Sequence, residues 1–512
     1  MALLAAISEI IASSDDSDSP ALYSPARAAQ CGAYDMIEAV LAGAASIRAA
    51  ATRYLPQYPA EGYDEYYRRL NSAPWRPEFE DSLRGIASKP FSKPVSLQGT
   101  PSPNIKAFAE DVDTLGNDLH NFARSVFWNG IGFGMHGILV DHPDMKYPMS
   151  AYDERVSGAR PYWCHITAPD ILDLRTALVG GQTVVNYVRF RQWDERPKGR
   201  FGSEQVEQIK ILTPGAWELW EKDKDSKWFL VNQGKIALPV IPLALFYTGR
   251  RVGPSHPRPP LTDLADMQLE LYRALSREDE VLTYAGSPML TANGMAAPSK
   301  GVIEIGPKRI LFAPSSGGLG NTSWAFIQPD AANLAEIRAK VESIINDMRR
   351  LGLQPLMPRS GDVAATIGAL EAAKAHSAAE AWANGLKDAL EQALVFTAQW
   401  YNEPTTVEVA VHTDFGVDLE GGTDMDALLA AREAGEISRE TYWDELLRRG
   451  RLGPQFDPKQ EATRLQQEEQ ESAKKAADLA KLGPAPAVPG TPGTPPMSRP
   501  PTDASKPPTA VN

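Results

Sequence analysis

The stretch from Pro259 to Tyr401 constrains this chain more than any other. A helix is predicted from Leu261 to about Thr283, followed by a segment broken by Gly and Pro that reads as short strands. A second amphipathic helix is predicted over Asn333 to Leu351. There Leu334, Ile337, Val341, Ile344, Ile345, Met348 and Leu351 hold one stripe, while Glu336, Arg338, Lys340, Glu342, Asp347, Arg349 and Arg350 fall off it. A Gly/Pro loop, Gly352 to Gly361, separates this helix from a long Ala-rich one that ends at Tyr401. Two helices with a small strand-like knot between them and a loop after them form an architectural unit, and no residue in it has the pattern of a catalyst.

The charge balance narrows the class of partner. The chain carries 52 Lys+Arg against 65 Asp+Glu, a net charge of −13. A protein that grips DNA by neutralising phosphates presents a basic excess, so tight DNA binding is excluded as the main role. A surface past which DNA slides is not excluded, because adhesion there would be a handicap. Cys31 and Cys164 are too few for a disulfide framework, and no CxxC spacing exists for zinc, which fits synthesis in a reducing cytoplasm. Met1 to Ala12 is mildly apolar but contains Glu9 and no preceding Lys or Arg, unlike a signal peptide. No apolar run is long enough to span a membrane.

Along the chain, residues 1–35 combine a short apolar helix with the acidic, Ser-rich Ser13 to Ser19 and are expected to form an arm. Helices are expected over Asp35 to Arg53, Pro77 to Ala87 and Ile105 to Trp128. In the last, Phe108, Val112, Leu115, Leu119, Phe122 and Val126 recur as one apolar face. From Tyr147 to Tyr247 the period changes to two. Tyr162 to Ile166, Ile171 to Leu178, Val184 to Trp193, Gln208 to Leu212, Trp217 to Trp220 and Trp228 to Val231 are expected as strands of one antiparallel meander. Its Trp and Tyr content serves cross-strand packing better than base stacking. Arg250 to Pro260 is a Pro-rich hinge and domain boundary. After Tyr401 come a strand at Thr405 to His412, helices at Asp424 to Glu433 and Ser438 to Arg449 joined at Gly435, and a charged helix from Pro458 to Lys481. Pro484 to Asn512 is Pro/Ala/Gly/Thr-rich and is expected to be disordered.

Two motifs imitate chemistry. Gly132 to Gly137 matches GxGxxG, but a dinucleotide fingerprint needs a strand before it and a helix after it. Here a helix ending at Trp128 precedes it and a strand, Gly137 to Val140, follows. Ser315 to Gly320 is Gly-rich but lacks the Lys-Ser/Thr of a phosphate loop. His136, His142, Asp141 and Asp144 are neighbours in sequence, yet nothing brings three of them around one metal. No GxSxG, HExxH or Cys-His signature is present. No catalytic, cofactor-binding or metal-binding residue is therefore assigned.

The loop from Gly352 to Gly361 needs its Gly and Pro simply to connect two helices. Arg349, Arg350 and Arg359 cluster around it. In a ring of subunits, one arginine per copy becomes a belt of positive charge that touches phosphates without reading bases.

Several segments together resemble one family, the portal proteins of tailed bacteriophages, in the branch that carries a domain of unknown function. They are Gly137-Ile138-Leu139-Val140-Asp141 after a long helix, Pro259-Pro260-Leu261-Thr262-Asp263-Leu264-Ala265 opening the first helix, Ala285 to Leu290, Gly306-Pro307, and Gly435-Glu436-Ile437-Ser438. The similarity runs from about Asp35 to Gly450, and the acidic N-terminal arm and Pro-rich tail depart from it. The resemblance implies an α+β, portal-like fold with a mixed α/β wing (36–258), stem helices (259–283 and 331–351) and a small α/β clip (284–330). A tunnel loop (352–363), a long wing helix (364–403), a helical crown (404–481) and a tail (482–512) would complete it, after the arm (1–35). It further implies a non-enzymatic, cofactor-free ring of about a dozen subunits at one vertex of a virion capsid, a head-tail connector through which double-stranded DNA is packaged and ejected. Arg349, Arg350, Arg359 and Ser360 would face that DNA. Terminase, a head-completion or tail adaptor protein and a major capsid or scaffolding protein would dock on the ring. The alternatives are a cytoplasmic α+β enzyme with a pocket near the Tyr147 to Tyr247 sheet, and a minor capsid or scaffold protein.

Overall fold

The computed structural model describes residues 19–143, 158–223, 227–250, 256–285, 289–293, 310–313, 323–327, 331–352, 362–404, 407–413, 415, 423–448, 452, 456 and 458–481. The chain is α+β and separates into two compact units, Met1–Val417 and Asp418–Asn512. The expected arm before residue 19, most of the loop at 353–361 including Arg359 and Ser360, the Gly306-Pro307 turn, the Gly-rich 315–320 and the tail after 481 lie outside the described residues.

The first unit opens with helices. The helix expected over Asp35 to Arg53 is two, α1 (Cys31–Leu41) and α2 (Ala44–Ala49), because Gly43 takes a left-handed φ of 79° between them. Next comes α3 (Tyr63–Ser72), which was not singled out in the sequence and which buries Tyr66, Arg69 and Leu70 on one face. Its local signal is Glu65, whose carboxylate reaches back to accept from the Gly62 N–H, half of a capping box. Arg69 then fastens it from within, donating to both oxygens of Glu61 at 2.6 and 2.7 Å and to Pro56 O. α4 (Glu78–Ser88) holds the expected position.

The single helix expected over Ile105 to Trp128 is also two, α5 (Pro103–Glu110) and α6 (Leu119–Phe133). Asp113 is the reason. Its Oδ1 accepts from the Leu115 and Asn117 N–H groups, Thr114 and Gly116 take positive φ, and Asp118 caps α6 through the Asn121 N–H. Side chains that satisfy backbone donors locally compete with a helix. Leu115, expected on the buried face, is 83% exposed as a result. The helix also overruns its expected end at Trp128 and stops only at Gly134.

The expected meander is divided between two sheets. β2 (Met135–Asp141) is flanked by β3 (Tyr162–Thr167) and β9 (Leu243–Tyr247), both antiparallel to it. β4 (Ile171–Val179), β5 (Gln182–Lys198), β6 (Gly202–Thr213), β7 (Ala216–Lys222) and β8 (Trp228–Lys235) form the five-stranded antiparallel meander proper, in sequence order. The strand at Tyr162 to Ile166 has the right period for either sheet. Only its pairing with β2, a tertiary fact, decides.

Beyond β9 comes α7 (Thr262–Ala285), then β10 (Met289–Asn293), β11 (Ile310–Ala313) and β12 (Ser323–Ile327), then α8 (Ala331–Leu351) and α9 (Asp362–Trp400). β13 (Val407–Ala410) closes the unit by pairing with β1 (Ser96–Gly99). The core is continuous through α1, α4, α6, β2, β9, α7 and α9. At its centre Trp163 lies edge-on to Phe108 and Phe122, and its indole N–H donates to Thr397 Oγ1 at 2.9 Å.

In the second unit, α10 (Thr423–Glu433) ends as expected at Gly435, with φ 78°. The Gly435 and Glu436 N–H groups donate back to Arg432 O and Ala431 O, which satisfies carbonyls left over at the helix end. α11 (Arg439–Arg448) is capped by Ser438 Oγ, and α12 (Pro458–Lys481) begins at its proline.

Candidate functional site

The α7–α8 pair builds the segment singled out by the sequence. Leu264, Ala265, Leu269, Leu271, Tyr272 and Leu275 of α7 are buried, and Gln268 is buried with them. Gln268 is not an uncompensated polar group. Its Oε1 accepts from the Phe79 N–H, an orphan donor at the start of α4, and its Nε2 donates to Arg76 O. On α8 the buried stripe is Val341, Ile344, Ile345 and Met348, as the apolar spacing requires. Leu351, expected to continue it, is 51% exposed, because the helix ends there and the chain turns at Gly352 beneath Ser82.

Ion pairs across the seam establish its direction. Arg338 of α8 sits 3.2 Å from Glu278 of α7, and Lys340 sits 3.0 Å from Glu270. As numbers rise on one helix they fall on the other, so the helices are antiparallel. Among the described residues between them is a three-stranded sheet, β10 lying parallel to β11 and antiparallel to β12. These pairs are solvent-exposed and contribute roughly 0–1 kcal/mol each. The buried stripe holds the seam, and the charges decorate its rim.

Arg349 and Arg350 are placed together at the end of α8 with exposed guanidinium groups. Arg349 is 3.5 Å from Glu78 and Arg350 is 3.4 Å from Asp347. Both pairings are long and both guanidinium groups are exposed, although Glu78 itself is largely covered. The other two residues of the set, Arg359 and Ser360, lie outside the described residues.

The glycines of the apparent nucleotide fingerprint are explained by packing. Gly132 is within α6, Gly134 is its left-handed cap with φ 83°, and Gly137 lies in β2. The element order is therefore helix then strand, which puts no helix N-terminus at the motif. A Cβ on Gly137 would stand 3.1 Å from Leu243 and 3.3 Å from Ile166, so a larger residue there would require these neighbours to shift.

The histidines form no metal site, and no cluster of three metal-ligating side chains exists among the described residues. Buried His136 instead meets His165 ring to ring, Nε2 to Nδ1 at 2.9 Å, and burial holds His136 well below the usual histidine range.

A cleft of about 370 Å³ lies between β2 and the five-stranded sheet, in the region where the enzyme alternative placed its pocket. Leu139, Leu212, Trp217, Pro242 and Trp400 supply apolar walls, while Asp141 and Lys210 bridge it at 2.5 Å. Tyr162 borders it, and burial raises its phenol above the usual range, so it stays protonated. Asp141 is thus held by Lys210 and Tyr162 stays neutral, while His142 also lines the cleft. Residues from β2, β6, β7 and α9 meet there, which no sequence window reveals.

Residues 260–401 match a family described as "Domain of unknown function (DUF4055)". The match spans α7 to the end of α9. None of the curated proteins matches the chain. Among solved structures, similar chains come from gene transfer agent (GTA) particles. One belongs to the virion of a native particle, with 12% identity over 77% of this chain and 96% of that one and a TM-score of 0.38. Another belongs to the neck of an empty particle computed with C6 symmetry, with 12% identity over 75% and 92% and a TM-score of 0.39. A third belongs to the neck of a native particle computed with C12 symmetry, with 13% identity over 78% and 98% and a TM-score of 0.38.

Proposed function

We propose that this chain is a portal subunit: one copy of a ring that forms a head-tail connector at a capsid vertex and passes double-stranded DNA. One observation carries the proposal, the antiparallel pair α7 and α8 with the small sheet β10–β12 between them in sequence. This is the arrangement expected of two stem helices with a clip between them, and it coincides with the matched domain. Helices of this kind, repeated about an axis, line a channel. Arg349 and Arg350, with Arg359 and Ser360 in the loop that follows, are then the groups offered to a passing duplex, and phosphate contact without base contact carries no sequence preference. The net charge of −13 keeps the remainder of such a channel from adhering to DNA.

In this proposal the chain does no covalent chemistry. Terminase, an adaptor protein and a capsid or scaffolding protein are its partners, and its location is the virion. No helix among the described residues is long and apolar enough to cross a membrane.

Light scattering of the purified protein, followed by negative-stain imaging of the same fraction, tests the proposal. A closed ring of roughly a dozen subunits with an open centre is the expected result, since identical heterologous interfaces close when their rotation permits. A protein that stays monomeric at high concentration and shows no ring removes the proposal. The 370 Å³ cleft favours a second reading, a small-ligand-binding enzyme. Saturable binding of a metabolite-sized ligand there, without rings, would select it.

A further inference from the structure

The cleft between β2 and the five-stranded sheet takes no part in the channel proposed above, yet its walls are held in place by contacts of their own. Trp217 on β7 faces Gly234 on β8 across the register, and a Cβ on Gly234 would stand 2.6 Å from the Trp217 Nε1. The glycine therefore makes the room that the indole occupies. Trp400, the last residue of α9, stacks on His142 with ring centroids 5.0 Å apart and planes at 25°. Leu139, Leu212 and Pro242 add aliphatic surface. A space of about 370 Å³ with two indoles in its walls falls in the range of small-molecule sites.

The polar groups around this space are unbalanced. Asp141 is the one carboxylate among the lining residues, and both of its oxygens are engaged. Oδ2 accepts from the Lys210 ammonium at 2.5 Å, and Oδ1 accepts from the His142 N–H at 3.0 Å. Donors are in surplus. Lys235 brings a second ammonium, exposed and with no ion-pair partner among the described residues. The Tyr162 hydroxyl, which burial keeps protonated, also has no partner among them. The indole N–H of Trp400 is buried without an acceptor. Two ammonium groups thus stand against one carboxylate, and the unmatched groups are donors.

We propose that this cleft is a binding site for a small organic anion, a carboxylate carried on a flat apolar body. The carboxylate takes hydrogen bonds from Lys235 and the Tyr162 hydroxyl, and bonds to an ionised group are the stronger kind. The body lies against the indoles of Trp217 and Trp400. A cationic ligand of the same shape would meet two ammonium groups and no free carboxylate, and a neutral one would forgo the charge-assisted bonds. The site requires neither ring formation nor catalysis, so it stands apart from both readings above.

The test is calorimetric titration of the full chain with three probes of one shape: naphthoate, naphthamide and naphthylmethylamine. Naphthoate is expected to bind at one site per chain, about tenfold or more tighter than either of the others. Lys235→Glu and Tyr162→Phe should each weaken naphthoate about tenfold, the worth of one charge-assisted hydrogen bond. Unchanged thermal unfolding of each variant shows that its fold is kept, and the exposure of Lys235 makes that the expected result. Equal affinity for the three probes, no binding of naphthoate, or unchanged affinity in both variants overturns the proposal. Light scattering of the same samples reads assembly separately. A ring that binds no naphthoate removes only this inference, and a monomer that binds it leaves this inference standing while the ring falls.

Discussion

The chain contains two larger antiparallel sheets, and the smaller is by far the better buried. In the three-stranded β3–β2–β9 sheet every residue of β2 from Met135 to Val140 is buried. One of its faces, with Val140, Trp163 and Phe246, packs on α6 and α9. The other, with Leu139 and Asp141, turns towards the larger sheet. The five-stranded sheet puts Val188, Phe190 and Leu212 in the core and leaves Leu178, Trp193 and Leu230 in water. Strand count does not confer stability. What confers it is how many faces find apolar cover, at roughly 25 cal/mol per Å² of apolar surface removed from water.

The largest test of this contrast is Trp163→Ala. It removes a fully buried ring and the partner of Thr397, and should cost about 3–5 kcal/mol in chemical denaturation. A loss below about 1 kcal/mol would mean the small sheet is not the keystone. The α7–α8 seam stands between the two sheets in cover. Ile344→Asp there should cost about 3 kcal/mol and abolish assembly, because it places an unpaired charge on a buried stripe. Full stability in that variant would show that the stripe is not buried.

Acid should divide the molecule next. His256 is buried between the N-terminal helices and β4, its Nε2 donating to Ile171 O at 2.9 Å, and burial lowers its pKa to about 4. The folded chain therefore keeps His256 neutral where the unfolded chain, titrating near 6.5, is protonated. Stability should fall as pH drops from about 6.5 to 4, by on the order of 2 kcal/mol. His256→Asn, which keeps an N–H donor for Ile171 O, should make that fall shallower in pH-dependent unfolding without removing it, because burial also lowers His136 and His165. The smallest effect belongs to the bare face. Leu230→Ser should change stability by less than about 0.5 kcal/mol in chemical denaturation, since the side chain is 41% exposed.

A functional comparison completes the series. Arg350→Glu and Arg359→Glu should assemble as the parent does yet impair DNA retention. Normal retention would remove the arginines from the proposed channel.

Legibility in the sequence followed the range of the cause. α8 lay where apolar spacing put it, since the stripe that defines it is also what the fold buries, and α7 and α9 fall close to their expected bounds. The 105–128 helix failed for a local reason visible only in detail. Asp113, Gly116 and Asn117 form a turn inside a periodic pattern, and periodicity alone overrode them. The division of the strands between two sheets was not legible, because β2 finds β9 more than a hundred residues later. A pocket near this sheet was among the alternatives, but which residues line it was not legible, because they come from separate strands and from α9. Of the site, the adjacency of Arg349 and Arg350 and their exposure were readable, whereas the contact with Glu78 was not.

Gly134 gathers more than a helix end. Its carbonyl accepts from both the Thr248 and Gly249 N–H groups, and an added Cβ would stand 3.0 Å from Pro259 Cα. The last turn of α6, the end of β9 and the approach to α7 thus meet within the width of one residue. A pull on α7 would be felt at the sheet through this joint whatever slack the Pro-rich segment at 250–260 allows. It is a rivet, and the only amino acid that can sit in it is the one without a side chain.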